Sequence, residues 1–254
     1  YIWNAAEVRS LVGLLKRVAP GVTIVLGGPE VSHLPLRVDF GEADYLVRGE
    51  GEIVFGELCR GLLAGRPPAE RVLAAEPPAV DALAQPYPFY TDEDLAHRLV
   101  YVEAARGCPF RCAFCLSSID HRVRPFALEP FLAELDTLWQ RGARTFKFVD
   151  RTFNSSLAAA TRILDFFLAR TPPFHVHFEV IPDHFPAPLR ERLARFPAGT
   201  LQLEIGIQTL DAATAARINR RLDLERIREN LTFLEHETTA HLHLDLIVGL
   251  PGES

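Results

Sequence analysis

The chain of 254 residues is 48% hydrophobic and 24% charged, and its formal net charge is −6. These values are typical of a folded globular protein and exclude a disordered chain. No stretch reaches the roughly 18 consecutive apolar residues of a transmembrane helix. The acidic balance does not indicate nucleic acid or an anionic membrane as a partner. Because no methionine occurs anywhere, even at position 1, we expect the chain to be the middle of a longer protein.

Helices and strands alternate over residues 1–65, which indicates an α/β fold with a parallel sheet. The first helix carries one apolar stripe at helical intervals, formed by Val8, Leu11, Leu15 and Val18. The short apolar runs 22–26 and 43–47 predict two strands of the sheet. Six of the nineteen prolines lie between Pro67 and Pro88, and no helical or strand period continues there. We therefore predict a linker over residues 66–97.

A second alternating series begins near residue 99. The predicted strands are 99–105, 145–149, 175–181, 201–207 and 241–248, and the helices between them are 128–140, 157–170, 188–196 and 224–235. This alternation is typical of a βα barrel or a doubly wound sheet. The sequence stops soon after the fifth strand, so we expect a barrel that is cut short there.

Three of the four cysteines, Cys108, Cys112 and Cys115, lie in one loop after the first strand of this series. Thiolates select zinc or iron–sulfur centres over hard cations, and this clustering indicates a reducing, cytoplasmic compartment rather than a disulfide framework. A zinc site would need a fourth ligand, for which His121 is available. A four-iron cluster on three cysteines leaves one iron open for chemistry. Because loops after barrel strands form the active-site face, the position favours the cluster.

The spacing CxxxCxxC, with Phe114 before the third cysteine, resembles the radical S-adenosylmethionine (radical SAM) superfamily. The resemblance implies that the three cysteines hold a four-iron four-sulfur cluster. The unique iron of that cluster would chelate the amino and carboxylate groups of S-adenosylmethionine. One electron would then cleave this cofactor to methionine and a 5′-deoxyadenosyl radical.

Further residues match this family in their order and spacing after the cysteine loop. The resemblance assigns the adenine to Phe114, the ribose to Gln208 and Asp245, the methionine carboxylate to Arg220, and a further cofactor-facing carboxylate to Glu179. One departure is visible after the second barrel strand. The family's Gly-Gly-Glu turn, which receives the amino group of the cofactor, is replaced here by residues 149–152. Asp150 is the candidate for that role.

The glycines before the barrel carry a second resemblance. Gly27-Gly28-Pro29-Glu30 follows one predicted strand, and Gly49-Glu50-Gly51-Glu52 follows the next. This order is similar to the C-terminal half of the cobalamin-binding domain that precedes many radical SAM barrels. It implies a partial Rossmann-like domain over residues 1–65, in which Gly27 and Gly28 let cobalamin approach the backbone. A degenerate domain that binds no cobalamin is the alternative.

Together the resemblances imply an enzyme with residues 98–254 as a partial (βα)6 radical SAM barrel. Its reaction would be a cobalamin-dependent methyl transfer or rearrangement on an unknown substrate, with a reductant such as flavodoxin or ferredoxin. Two alternatives stay open: an RNA-modifying methylthiotransferase with a vestigial first domain, and a non-catalytic iron–sulfur protein. His175 with His177, and His241 with His243, each face one side of a predicted strand. We expect ordinary polar packing for at least one of these pairs.

Overall fold

The computed structural model describes residues 2–33, 35–120, 122–221 and 223–253. They form two compact units, Tyr1–Ala84 and Gln85–Ser254. The boundary between the units lies inside the segment 66–97, for which the sequence predicts a linker. None of the described helices is long and apolar enough to cross a membrane.

The first unit contains a three-stranded parallel sheet. Its elements are α1 (Ala5–Val18), β1 (Val25–Leu26), α2 (Pro29–Ser32), β2 (Tyr45–Arg48), α3 (Glu52–Leu63) and β3 (Val72–Ala74). The strands lie in the order β1-β2-β3, and Leu46 of β2 pairs with Leu26 on one side and Val72 on the other. Strand β3 lies within the segment predicted to be a linker. It is ordered because its backbone completes the hydrogen-bond ladder beside β2.

Helix α1 packs through a different face from the predicted one. Ala5 and Val12 are buried, and Val8 is partly buried beside them in a small core that includes Ile24 and Leu46. The other members of the predicted stripe are exposed: Leu11, Leu15 and Val18. The predicted stripe is therefore wrong beyond Val8. Both sets of residues satisfy the helical period, and tertiary contacts with the sheet select between them.

The second unit alternates strands with helices. Its elements are α4 (Asp92–His97), β4 (Val100–Val102), β5 (Ala105–Arg106), β6 (Arg124–Pro125), α5 (Leu128–Gln140), β7 (Thr145–Phe148), α6 (Leu157–Leu168), β8 (His175–Val180), α7 (Ala187–Leu193), β9 (Leu201–Gln208), α8 (Ala212–Arg217), α9 (Leu224–Glu237) and β10 (His241–Leu246). All five strands predicted for this region are confirmed. The first of them is split, with β4 in the main sheet and β5 in a separate antiparallel pair with β6.

The main sheet of this unit is parallel, with strand order β4-β7-β8-β9-β10. The strands follow the chain order without the reversal that defines a doubly wound sheet. The arrangement is therefore that of a partial βα barrel, which is one of the two architectures predicted from the sequence.

The two faces of the main sheet differ in chemistry. On β9, Leu201, Leu203, Ile205 and Ile207 are buried, whereas the residues between them are half-buried. The buried face packs with helical side chains such as Phe131, Leu135, Ile163 and Phe167 in one continuous core. The opposite face carries Gln202, Glu204, Gly206 and Gln208. In a barrel this polar face is the interior, so the interior is where the candidate site lies.

Candidate active site

The cysteine loop is closed at its base by the antiparallel pair β5–β6. Ala105 pairs with Pro125, and Arg106 pairs with Arg124. Gly107 begins the loop with φ +94°, and a Cβ at this residue would lie 2.1 Å from the carbonyl oxygen of Arg122. Only glycine fits this close approach with a positive φ.

The three thiols of the loop face one cavity of about 430 Å³. Cys108 and Cys112 are buried, and Cys115 is half-buried. Burial raises the pKa of the Cys108 thiol, and the neighbouring Cys115 and Cys112 raise it further. This donor set fits an iron–sulfur cluster. Burial disfavours the thiolate form of these cysteines, and bonds from the sulfurs to iron would stabilise that form.

The described residues also bear on the zinc alternative. Among them, no three side chains of His, Cys, Asp or Glu lie close enough together to hold a single metal ion. In an iron–sulfur cluster each thiolate binds a different iron, so the three thiols need not lie close enough together to share one metal ion. His121, the predicted fourth ligand of a zinc site, lies outside the described residues.

The structure brings most of the predicted cofactor residues to this cavity. Its lining includes Phe114, Glu179, Gln208, Arg220 and Asp245. They come from the cysteine loop, from β8, β9 and β10, and from the segment after α8. Because parallel strands present their carboxyl ends at one edge, residues far apart in sequence meet there.

Asp150 is placed elsewhere. Its carboxylate is buried and accepts a hydrogen bond from the backbone N–H of Ala104 at 2.9 Å. Burial raises its pKa to about 7, against the lowering effect of the backbone donors Ala104 and Ala105. Asp150 is not among the residues that line the cavity. Its hydrogen bond joins the end of β7 to the segment after β4.

The next residue, Arg151, faces the cavity instead, and sequence reasoning missed it. Its Nη1 donates to both carboxylate oxygens of Glu179, at 3.0 and 3.3 Å. Burial raises the pKa of Glu179, and the neighbouring Glu204 raises it further while Arg151 lowers it. The cavity therefore contains an ion pair at the position where the family has its Gly-Gly-Glu turn.

Arg220 is anchored by the protein itself. Its Nη1 donates to the Cys112 sulfur at 3.6 Å, and its Nη2 donates to the carbonyl oxygen of Gly206. Its Nε is buried and has no partner among the described residues. The segment before it is also fixed to the cysteine loop, because the N–H of Ala113 donates to the carbonyl of Ile218 at 2.9 Å. Arg220 thus connects β9 to the thiol loop.

A second set of charged groups lies deeper on the inner face. Glu204 lies 3.0 Å from His177 Nε2 and 3.7 Å from Lys147 Nζ. Burial lowers the pKa of His177, and Lys147 lowers it further. His243 of β10 is the register partner of Glu204. The pairs on β8 and β10 thus lie on the polar interior face, and His177 packs there beside the carboxylate of Glu204.

In the first unit, Gly27 and Gly28 follow β1 at its carboxyl end. Gly28 has φ +97°, and a Cβ on it would meet nothing within 4 Å. Ser32 donates to the carbonyl of Gly28 at 2.8 Å and accepts from the N–H of Gly49 at 3.0 Å. The glycine turns after β1 and β2 therefore lie side by side, with open space beside Gly28.

Comparison with known proteins agrees with this arrangement. The sequence model described as "Radical SAM superfamily" matches residues 102–254. The 2-(S-pantetheinyl)-carbapenam-3-carboxylate methyltransferase of Streptantibioticus cattleyicolor is 26% identical over 297 aligned residues, covering 100% of this chain and 42% of that protein. The ribosomal protein uS12 methylthiotransferase of a Synechococcus species is 27% identical over 281, covering 100% of this chain and 55% of that protein.

A solved structure extends the likeness to the fold of the whole chain. The radical S-adenosylmethionine methyltransferase TsrM of Kitasatospora setae, with cobalamin and a [4Fe-4S] cluster bound, superposes with a TM-score of 0.74 at 18% identity. The superposition covers 99% of this chain and 54% of that one. The chain thus spans about half the length of the proteins it resembles.

Proposed function

Since the chain belongs to the radical SAM superfamily, we propose that it is part of a cobalamin-dependent methyltransferase that acts on a carbon of an unidentified substrate. The observation that carries the proposal is the single cavity where Cys108, Cys112 and Cys115 face the side chains that the resemblance assigns to S-adenosylmethionine. We also place the protein in the cytoplasm, where a reductant of the flavodoxin or ferredoxin class is available.

The residues of the chain have separable tasks in this proposal. The three thiolates hold the cluster, and Arg220 positions Cys112 through its hydrogen bond. Phe114 is 41% exposed beside the cavity and can stack on a base. Gln208 and Asp245 lie near the carboxyl ends of β9 and β10, where they can bind ribose hydroxyls. When bound, the cluster supplies the electron that cleaves S-adenosylmethionine, and cobalamin carries the methyl group.

Three observations support cobalamin binding by the first unit. Open space lies beside Gly28, at the carboxyl edge of a parallel sheet, where ligands of such folds bind. A relative from Streptomyces tokunonensis that is named as a cobalamin-dependent radical SAM methyltransferase is 29% identical over 142 residues. The similar structure of TsrM, which also covers the first unit, contains cobalamin.

The test uses the full-length protein, produced with cobalamin and reconstituted anaerobically with iron and sulfide. We expect a reduced four-iron signal by electron paramagnetic resonance, retained cobalamin, and methyl transfer from labelled S-adenosylmethionine to the bound cobalamin. Cys108→Ala should abolish the signal, whereas Cys59→Ala, in helix α3, should keep it. Absence of the four-iron signal in the wild type would refute the assignment of the cluster.

A methylthiotransferase is the second candidate, because such a relative also matches over the whole chain. Retention of cobalamin through purification separates the two functions. A protein that loads its cluster and cleaves S-adenosylmethionine, but retains no cobalamin, would favour the methylthiotransferase.

A further inference from the structure

The cysteine loop has an outer surface that the site in the cavity does not use. Phe110 and Cys112 line the cavity, whereas Arg111 between them does not line it and is exposed. The segment after α8 repeats this arrangement. Arg220 lines the cavity, and the adjacent Arg221 is exposed outside it. Two arginines, called here the outer arginine pair, thus lie outside the cavity beside residues that line it.

The two members of the outer arginine pair belong to segments that touch. Arg220 donates to the Cys112 sulfur at 3.6 Å. A backbone hydrogen bond of 2.9 Å, from the N–H of Ala113, joins the same two segments. Arg111 precedes Cys112 in the chain, and Arg221 follows Arg220. Each member of the pair is therefore the direct chain neighbour of a residue in this contact.

Both segments are basic, although the net charge of the whole chain is −6. Residues 104–119 and 212–222 contain five arginines and no aspartate or glutamate. The carboxylates that flank these segments already have cations: Glu103 pairs with Arg106, Asp120 with Arg124, and Asp223 with Arg226. Within the described residues, neither Arg111 nor Arg221 forms an ion pair. The outer surface of the loop is therefore a local patch of positive charge on an acidic chain.

This patch lies where an electron has to enter the protein. In the proposed function the cluster takes one electron from a donor, and S-adenosylmethionine occupies the cavity when that electron is used. A donor protein therefore has to approach the thiols from outside the loop. Consecutive Cα atoms are about 3.8 Å apart, so the backbone of Arg111 is one residue away from the cluster ligand Cys112. Only the thickness of the loop separates a protein bound at Arg111 from that thiolate.

The charge pattern favours an acidic protein over a nucleic acid as the partner. Affinity for nucleic acid comes from many phosphate contacts, and two exposed arginines supply few of them. An acidic protein needs only a small complementary patch, which steers its approach. The negative charge on the rest of the chain repels such a partner from other surfaces, so the patch also sets its orientation.

We propose that Arg111 and Arg221 form the docking surface for an acidic one-electron carrier protein of the flavodoxin or ferredoxin class. This inference rests on the proposed function, because a protein that loads a redox cluster needs such a donor. In the docked complex the carrier is oxidised by one electron and the cluster is reduced by one. No bond forms or breaks in this step, and no proton is transferred.

The test measures the affinity of an acidic flavodoxin for the full-length, cluster-loaded protein by anaerobic biolayer interferometry at two salt concentrations. At low salt, Arg111→Gln combined with Arg221→Gln should weaken the affinity by about threefold to thirtyfold. The loss should come mainly from slower association, and it should shrink as salt increases. Arg111→Lys combined with Arg221→Lys retains both charges and should stay within about twofold of the wild type.

A matched control removes two charges elsewhere in the same unit. The side chain of Arg162 is 52% exposed and pairs with Glu129 on the helical surface. Arg195 is exposed between α7 and the amino end of β9, whereas the cysteine loop follows the carboxyl end of β4. Arg162→Gln combined with Arg195→Gln should leave flavodoxin affinity unchanged. Dithionite, which needs no docking surface, should reduce the cluster to the same extent in every variant.

The outcomes separate this inference from the proposed function. If the wild type loads its cluster but flavodoxin affinity is equal in the wild type and the double Gln variant, the docking surface is wrong and the proposed function stands. An equal loss in the control variant would show that net charge, and not this surface, governs binding. Weaker binding of a tRNA transcript, with flavodoxin affinity unchanged, would assign the patch to RNA instead. A wild type that forms no four-iron cluster would overturn the proposed function and the docking surface together.

Discussion

Replacement of Gly107 by alanine should disable the cysteine loop. The new Cβ would lie 2.1 Å from the carbonyl oxygen of Arg122, whereas real Cβ contacts are essentially never closer than 3.0 Å, so these atoms must separate by about 0.9 Å. The positive φ alone costs about 1–3 kcal/mol, offset by about 0.4–1 kcal/mol from the stiffer unfolded chain. Displacement of the β5–β6 pair adds to this, and we expect a total loss of at least about 3 kcal/mol.

Gly142→Ala separates the two causes. Gly142 has φ +103°, and a Cβ there would meet nothing within 4 Å. This variant incurs the conformational cost without the collision, so we expect a loss of about 1 kcal/mol and normal iron binding. The assay measures iron and sulfide per chain after anaerobic reconstitution of the full-length protein, together with urea unfolding. If Gly107→Ala bound as much iron as Gly142→Ala, the close approach to Arg122 would have no role in forming the site.

Three further predictions concern single side chains. The native pKa of Asp150 is raised to about 7, so the folded protein binds more protons than the unfolded one between about pH 4 and 7, and stability falls as pH rises through that window. Asp150→Asn should flatten this dependence by up to about 1.4 kcal/mol per pH unit, measured by urea unfolding at a series of pH values. Arg220→Gln should speed the loss of cluster iron to a chelator, because the thiol loop loses an anchor, and unchanged loss would contradict that role. Phe114→Ala should weaken S-adenosylmethionine binding by about fivefold to a hundredfold, whereas Phe89→Ala, at a side chain 82% exposed elsewhere in the unit, should leave affinity unchanged.

The barrel could be predicted from the sequence because its strands are continuous apolar runs or strict alternations. Strand β9 shows why, since Leu201, Leu203, Ile205 and Ile207 alternate with polar residues. The short elements in the proline-rich segment were harder to predict. Strand β3 has only three residues. It forms because it pairs with β2, and the local sequence gives no sign of that pairing. Helix α4 did have a signal, because Thr91 and Asp94 form a capping box.

The cysteines of the candidate site could be predicted from spacing alone, whereas the turn after β7 could not. Asp150 and Arg151 are adjacent, and nothing in their order tells which side chain faces the cavity. The structure decides by burying Asp150 on the N–H of Ala104, which leaves Arg151 to line the cavity. In the same way, both possible apolar stripes of α1 satisfy the helical period. Sequence periodicity therefore identifies elements, while tertiary hydrogen bonds and packing decide the direction of single side chains.

The two carboxylates of the inner face, Glu179 and Glu204, are paired with different cations. Glu179 and Glu204 are register partners on adjacent strands, so their charges repel, and each has its own cation. Lys147 lies 3.7 Å from Glu204 with 28% of its side chain exposed, and His177 Nε2 lies 3.0 Å from the same carboxylate. Arg151 is 54% exposed on its own pair. The carboxylate of Glu179 is therefore held by the more exposed cation, whereas the carboxylate of Glu204 is held by the less exposed Lys147 on the barrel wall.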